Sequence, residues 1–362
     1  MKKLFLIAAF AVFMHATFAQ APKYSNEFLS IGVGARALGM SGAQVAGVND
    51  ATSGFWNPAG LCLSKGDLQI ALMHSEYFAG IAKFDFATIA AQIDATRTAG
   101  ISIIRFAVDD IIDSTELFDA DGNPDYDRLK SFSAADYAFL FSYSKKTAIN
   151  GFRYGGNFKV VHRKAGKFAS AWGFGLDAGV QYEKDKWKFG AMGKDLTSTF
   201  NAWTFNVDEK LAATLEATGN EIPQNGLEVT LPKLILGAGY QTNLSKKITL
   251  QPEINLDVTF DGKRNVPVKS DPISVDPHVG VEFGYGDFIF LRGGIGNIQQ
   301  VHEILGGTST IFQPNFGIGL RIKNLSLDYA LTNMGSSNEI LYSHVFSLKW
   351  SIFKQKKDNA AN

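Results

Sequence analysis

The sequence predicts an all-β protein, a transmembrane antiparallel β-barrel of about 14 strands with an N-terminal hatch plugging the lumen. Three observations predict this fold class. Apolar and polar residues alternate along segments of about ten residues or more, the length that a tilted membrane-crossing strand requires. Tight connections and long polar connections largely alternate between these segments, as in outer-membrane barrels. The region before the first segment is too rich in Gly and Ala to be a strand and too apolar to be a disordered tail.

The alternation is clearest in the stretch ITLQPEINLDVTF (248–260), where every second residue is apolar and the residues between are polar or charged. Such segments begin near residues 66, 80, 97, 135, 150, 169, 186, 233, 246, 274, 287, 312, 325 and 342. A soluble β-protein with one buried face produces the same alternation. Its strands are usually nearer five or six residues long, however, and a lumen suits polar faces that carry Arg, Lys, Asp and Glu together.

The chain begins with a segment typical of a secretory signal peptide. Lys2 and Lys3 precede the apolar run 4–13, and small residues follow as far as Ala21. An uncleaved anchor is the alternative, but the run is short for a spanning helix, and no later stretch holds 18 consecutive apolar residues. We therefore expect membrane crossing through strands. The expected divisions are a signal peptide (1–21), a hatch (22–64), a barrel (65–353) and a polar C-terminal tail (354–362).

Composition and motifs exclude several classes of function. The 35 Lys and Arg balance 35 Asp and Glu, which argues against a nucleic-acid partner. The single cysteine, Cys62, cannot form an internal disulfide. The stretch 32–37 fits G-x-G-x-x-A formally, but a dinucleotide site needs a βαβ unit that this pattern lacks. The six histidines have no zinc spacing, and no nucleophile lies beside a base, so we expect neither a cofactor nor enzymatic activity.

One acidic loop is a weak candidate for calcium. It carries oxygen-bearing side chains at alternate positions, namely Asp119, Asp121, Asn123 and Asp125. An EF-hand would need Gly where Pro124 stands and Glu where Lys130 stands, so that motif is excluded. A solvated surface loop without metal is the alternative.

The predicted hatch ends in GFWNPAGL (54–61). Asn57 and Pro58 favour a turn, and Trp56 is available as a packing anchor. One hypothesis is that these residues lock the plug to the inner wall, and the alternative is that they only build the turns of the hatch. Polar hatch residues are expected to contact lumen charges such as Lys159 or Glu253. The predicted hatch residues are Arg36, Asn49, Asp50, Trp56, Asn57, Pro58, Ala59 and Gly60.

One residue and one loop lead to hypotheses about a lateral opening in the barrel wall and a surface that binds a partner. Pro252 lies on the apolar face of a regular strand, where it must remove a ladder hydrogen bond. Tolerance at a bulge or strand end is one explanation, and a weakened wall with a lateral opening is the other. The loop 198–232 places apolar residues between charges, so Trp203, Phe205 and Leu211 are candidate partner contacts.

The stretch EFLSIGVGARALGMSGAQVAGVNDATSGFWNPAGL (27–61) resembles the N-terminal hatch of the FadL-like outer-membrane family, in which an NPA motif recurs. It looks closest to the PorV/PorQ branch, with its GARALGM…A…ND…WNPAGL pattern. The stretch 119–146 is similar to the acidic loop and following strand of that branch. The resemblance covers the hatch and first strands well, and the C-terminal half mainly by strand rhythm. It implies a fourteen-stranded plugged barrel in the outer membrane of a Gram-negative bacterium.

The resemblance implies two different functions, and family membership alone does not choose between them. A PorV-like protein is a non-enzymatic component of type IX protein secretion that binds exported cargo or the translocon. The alternative is a FadL-like transporter of hydrophobic small molecules. The expected partners are outer-membrane lipid, secreted cargo proteins with type IX secretion components, and a hydrophobic ligand. A structural barrel without transport is a third reading.

Overall fold

A computed structural model describes residues 25–118, 122–302, 306–333 and 342–354. The predicted signal peptide, Asp119 and Asp121 of the calcium candidate, and residues 355–362 of the polar tail lie outside the described residues.

Fourteen strands of the described residues form one closed antiparallel barrel, which confirms the predicted fold class. They are β1 (Leu68–Tyr77), β2 (Ala82–Gln92), β3 (Arg97–Asp113), β4 (Lys130–Lys146), β5 (Phe152–Ala165), β6 (Ala169–Lys184), β7 (Trp187–Lys194), β8 (Lys233–Tyr240), β9 (Ile248–Thr259), β10 (Ser274–Tyr285), β11 (Ile289–His302), β12 (Thr308–Ile322), β13 (Leu325–Asn333) and β14 (Tyr342–Ile352). Each strand pairs with its neighbours in the chain. The barrel closes where β1 pairs with β14, with Leu68 opposite Ile352.

The two ends of the barrel differ in their connections. Tight connections lie at one end, which we call the turn end: 93–96, 147–151, 185–186, 241–247, 286–288 and 323–324. Asp185, Asp287 and Lys323 have positive φ there, the conformation that reverses a chain within few residues. The other end, the loop end, carries the longer connections together with three short ones, 78–81, 166–168 and 303–307. This asymmetry is typical of outer-membrane barrels.

Several short elements accompany the wall. The helices are α1 (Ala35–Leu38), α2 (Ser53–Trp56) and α3 (Glu209–Ala217), with 3₁₀ turns at Glu27–Ser30, Pro58–Leu63 and Tyr126–Arg128. Short strands occur at Phe200–Phe205, Gly226–Val229, Thr242–Asn243 and Val268–Lys269. Among the described residues, no helix combines the length and the apolar character needed to cross a membrane.

The two faces of the wall differ in polarity, as the alternation predicts. Outward apolar side chains are exposed, from 36% at Leu256 to 58% at Phe346 among the examples Leu256, Phe283, Leu291, Ile318 and Phe346. Their inward neighbours on the same strands are polar and buried, for example Asn255, Glu282 and Arg292. Apolar residues facing outward all round a closed wall would be costly in water and are favourable in lipid.

Candidate functional site: the barrel lumen and its hatch

Residues 25–63 lie inside the barrel and are almost entirely buried. The first part of this segment packs on the loop-end half of β1 to β4, where the inner face is apolar. Phe28, Val33 and Trp56 share a core cluster with Phe84 and Ile104 of the wall. The wall therefore reverses its polarity where it meets the hatch, because apolar surface buried between the two is removed from water.

Inward-facing glycines of the wall allow the hatch backbone to approach closely. A Cβ on Gly294 would lie 2.4 Å from the backbone carbon of Met40, and one on Gly280 would lie 2.6 Å from Met40 Cβ. At Gly190 a Cβ would lie 2.3 Å from the carbonyl oxygen of Val45. Backbone meets backbone at these points, so no side chain fits between wall and hatch.

Asn57 ties the end of the hatch to the wall. Its Nδ2 donates to the carbonyl oxygens of Val45 and Val180, both at 3.0 Å, and its Oδ1 accepts from Ala59 N at 3.1 Å. One side chain thus caps the following 3₁₀ turn and bonds to both hatch and β6. Trp56 Nε1 donates within the hatch, to the carbonyl oxygen of Val33 at 2.9 Å.

We expect Asn57→Ala to loosen the hatch by about 1–3 kcal/mol, because it removes the bond to the carbonyl of Val180 and leaves the buried N–H of Ala59 without its side-chain acceptor. Hydrogen exchange of the amides in 45–60 should accelerate. Asn206→Ala is a matched control, since Asn206 makes an exposed bond to the carbonyl of Lys167. Equal exchange in both variants would show that Asn57 serves only its local turn.

Buried ion pairs join the hatch to the opposite part of the wall. Arg36 Nε lies 2.9 Å from Glu282 Oε2, which also accepts from Arg292 Nε at 2.6 Å. Asp50 pairs with Lys349 of β14. Burial alone would raise the pKa of Asp50, but the charges of Lys349 and Arg36 hold that pKa well below its usual range.

The partners of the polar hatch residues differ from the expected ones. Lys159 pairs instead with two wall residues, Asp177 at 3.0 Å and Asp195. Glu253 contacts the hatch backbone, because its Oε1 accepts from Ala46 N at 2.8 Å and from Gly47 N at 3.1 Å. The hatch turn around residues 46–47 therefore binds a wall carboxylate through backbone N–H groups.

The remaining predicted hatch residues lie in the same interface. Asn49 is the exposed member, with its Oδ1 3.5 Å from Arg36 Nη1. Pro58, Ala59 and Gly60 are buried in the 3₁₀ turn that follows Asn57. A Cβ on Gly155 of β5 would lie 2.5 Å from the backbone carbon of Pro58, so this turn also rests against the wall.

The hatch separates two lumen cavities. The loop-end cavity has a volume of about 550 Å³. On the side of the hatch it is lined by the apolar residues Leu29, Leu38, Phe55 and Trp56, which we call its floor. The turn-end cavity, of about 290 Å³, is polar and is lined by hatch and wall residues that include Arg36 and Lys349. The apolar hatch surface thus faces the loop-end cavity, and its charged surface faces the turn end.

The wall is interrupted between β7 and the strand 200–205, a feature that the sequence reading missed. The turn-end half of β6 pairs with β7, and its loop-end half pairs with the strand 200–205. Residues 195–199, between these two strands, form no ladder. A small cavity of about 70 Å³ lies at this interruption, and Ser25 and Asn26 line it. The turn-forming run DLTST (195–199), which breaks the alternation, was the available signal.

Pro252 lies within a regular strand. Pairing with β10 continues through Pro252, which is opposite Val281. On the β8 side, pairs flank the proline with an unchanged register: Gly239 is opposite Glu253, and Thr242 is opposite Leu250. The missing N–H therefore interrupts one ladder locally without shifting its register.

The predicted partner loop 198–232 is a folded hairpin and not an irregular loop. Strands 200–205 and 226–229 pair with each other, and 200–205 also pairs with the loop-end half of β6. The helix α3 lies between the two strands in the chain. Trp203 faces the lumen side, where its Nε1 donates to Glu228 at 3.0 Å. Phe205 stacks near Trp203, and Leu211 lies on α3.

The described part of the calcium candidate shows no ligand arrangement. Asp125 Oδ2 pairs with Arg128 Nε at 2.8 Å, and its Oδ1 accepts from Asp127 N. Among the described residues, no group of three or more His, Cys, Asp or Glu side chains is placed to hold a metal ion.

A closed fourteen-stranded barrel with its N-terminal segment folded into the lumen defines a plugged-barrel architecture. No family model matches the chain, and no curated protein matches it.

Solved structures share the fold. The CymD monoaromatic hydrocarbon channel is 12% identical with a TM-score of 0.55, over 90% of this chain and 98% of the other. The P. putida toluene transporter TodX is 13% identical with a TM-score of 0.52, over 90% and 99%. The Ralstonia pickettii toluene transporter TbuX is 13% identical with a TM-score of 0.52, over 88% and 98%.

Proposed function

We propose that this barrel lies in the outer membrane of a Gram-negative bacterium and carries mainly apolar small molecules through its lumen. The observation that carries the proposal is the loop-end cavity, which is large enough for a small organic molecule and has an apolar floor made by the hatch. The outward apolar face supports a lipid environment. Three barrels with the same fold are a monoaromatic hydrocarbon channel and two toluene transporters.

We further propose that the molecule leaves through the wall interruption at 195–199. The hatch closes the direct path to the turn end with its backbone and with buried ion pairs. At the interruption residues 195–199 add no strand to the wall, and Lys159 pairs there with Asp177 and Asp195. Asn201 Nδ2 donates to Ser25 Oγ at 3.0 Å and to Asn26 Oδ1 at 2.9 Å, and Asn26 Nδ2 donates to Thr230 Oγ1 at 2.8 Å. Pro252 is the alternative exit.

Uptake of radiolabelled toluene by intact cells that lack other hydrocarbon channels tests both proposals. We expect expression of the protein to raise uptake, because lipopolysaccharide otherwise slows apolar solutes. In the variant Ser25→Cys/Asn201→Cys, oxidation should block uptake and reduction should restore it, whereas Ser25→Cys alone should respond to neither. No uptake above background would refute transport, and uptake that oxidation leaves unchanged would refute this exit.

A second candidate function is the PorV-type role in type IX secretion, which rests on the resemblance of residues 27–61. The folded hairpin at the loop end offers a surface for cargo, since Leu227 is 61% exposed and Ile222 is 40% exposed. Affinity purification from detergent-solubilised outer membrane, with mass spectrometry of proteins and lipids, distinguishes the two. Secreted proteins with a common C-terminal domain would favour secretion, and a barrel carrying only an apolar ligand would favour transport.

A further inference from the structure

The loop-end cavity is not uniformly apolar. Its floor is formed by apolar and aromatic hatch residues, but six carboxamide side chains of the wall and a loop also line it. They are Asn255, Asn265, Asn297, Gln299, Gln313 and Asn315. A cavity for a bare hydrocarbon needs none of these groups, because a polar group that faces an apolar ligand loses its hydrogen bonds to water.

A β-bulge places three of these amides in a row. The register between β11 and β12 shifts between Gly296 and Gln299, and Asn297 has a φ of 49°. In a regular strand that continued from inward-facing Gly296, Asn297 and Gln299 would both face outward. Instead both line the cavity, where they meet Gln313 of β12. Bulges are frequent next to functional sites because they re-aim side chains.

Among the described residues, the row is continuous and has free hydrogen-bonding capacity at both ends. Gln299 Nε2 donates to Asn297 Oδ1 at 2.6 Å, and Asn297 Nδ2 donates to Gln313 Oε1 at 3.2 Å. These two bonds leave the Oε1 acceptor of Gln299 at one end of the row and the Nε2 donor of Gln313 at the other. A hydroxyl group both donates and accepts, so it complements this row. We call Asn297, Gln299 and Gln313 the amide row.

The charges of the cavity are largely balanced among wall residues. Lys233 pairs with Asp257 at 2.8 Å, and His278 Nε2 lies 3.6 Å from Asp276 Oδ2. Lys194 Nζ lies 4.0 Å from the centroid of the Phe55 ring, against the hatch. An anionic head would face the carboxylates of Asp257 and Asp276 as well as the cations, whereas a neutral head needs neither sign of charge.

We propose that the cavity binds an amphiphile whose apolar body packs on the hatch and whose neutral, hydroxyl-bearing head hydrogen-bonds to the amide row. This rests on the proposed transport function and narrows its substrate class. Phe55 and Trp56 receive the apolar body, and the amide row selects the head. A substrate with hydroxyl groups satisfies amides that a bare hydrocarbon would leave unpaired.

Calorimetric titration of the full mature chain in lipid nanodiscs tests the proposal, with empty nanodiscs as the blank. The probes are hexyl β-glucoside, hexanoate and toluene. We expect the glucoside to bind more tightly than hexanoate, which shares its short alkyl body. In Gln299→Leu/Gln313→Leu, glucoside binding should weaken by about tenfold or more while toluene binding is retained. Asn206→Leu should leave glucoside binding within about twofold, because this amide lies outside the cavity and bonds to the carbonyl of Lys167.

The outcomes separate this inference from the proposed function. Toluene binding together with glucoside binding no tighter than hexanoate binding would overturn the inference and leave transport of apolar molecules intact. An unchanged glucoside affinity in the double leucine variant would also overturn it. If none of the three probes binds, the proposed function itself fails. The comparison of probes on the unmodified protein decides the question even if the double variant does not fold.

Discussion

Gly294→Val is expected to dislodge the hatch and open the lumen. A Cβ at this position would lie 2.4 Å from the backbone carbon of Met40, and backbone cannot turn away as a flexible side chain can. Overpacking of this kind costs about 1–3 kcal/mol or more, and here the hatch is the part that must move. Single-channel conductance in a planar bilayer should rise from near zero to discrete openings.

The neighbouring residue provides the matched control. Gly293 faces outward on the same strand, and a Cβ there would meet nothing within 4 Å. Gly293→Val adds the same side chain to β11 and should keep the conductance of the unmodified protein. Conductance that is equally low in both variants, with both folded, would show that the hatch does not seal the lumen at this contact.

The wall strands could be predicted from the sequence, because a closed barrel in lipid imposes the same two-residue alternation on each strand. In β9, each apolar residue from Ile248 to Val258 lies on the outward face. The alternation is less informative near the loop end of β2, where Phe84 and Phe86 face inward and Lys83 and Asp85 face outward. The polarity is reversed there because the hatch makes this part of the lumen apolar.

The contacts of the hatch could not be predicted in the same way. Arg36 was expected to meet a lumen charge, but its partner, Glu282, lies 246 residues further along the chain. Which strand faces a hatch residue depends on the register and closure of the whole barrel, and neither is local in sequence. The bulge at Asn297 and the interruption at 195–199 were missed for a related reason, since both are departures from the alternation on which the prediction relied.

Glu282→Gln is expected to destabilise the seated hatch by about 3–5 kcal/mol, because it removes one charge from a buried pair. Glu282 accepts from Arg36 Nε and Nη2 at 2.9 and 3.0 Å and also from Arg292. Arg292 keeps Asp328 at 2.7 Å, but within the part of the chain that the structure describes no carboxylate would remain at hydrogen-bond distance from Arg36. The measurement is the thermal midpoint of unfolding, together with protease accessibility of the hatch.

Two further variants separate this effect from a general loss of charge. Asp287→Asn removes the carboxylate of an exposed pair with Arg321, which is worth no more than about 1 kcal/mol. Arg36→Met/Glu282→Gln removes both partners, so it should recover much of the stability that Glu282→Gln loses, because no buried cation is left unpaired. If Glu282→Gln is as mild as Asp287→Asn, the Arg36 pair does not seat the hatch. Packing of its backbone on the wall glycines would then be the main contribution, and Gly294→Val would be the more damaging change.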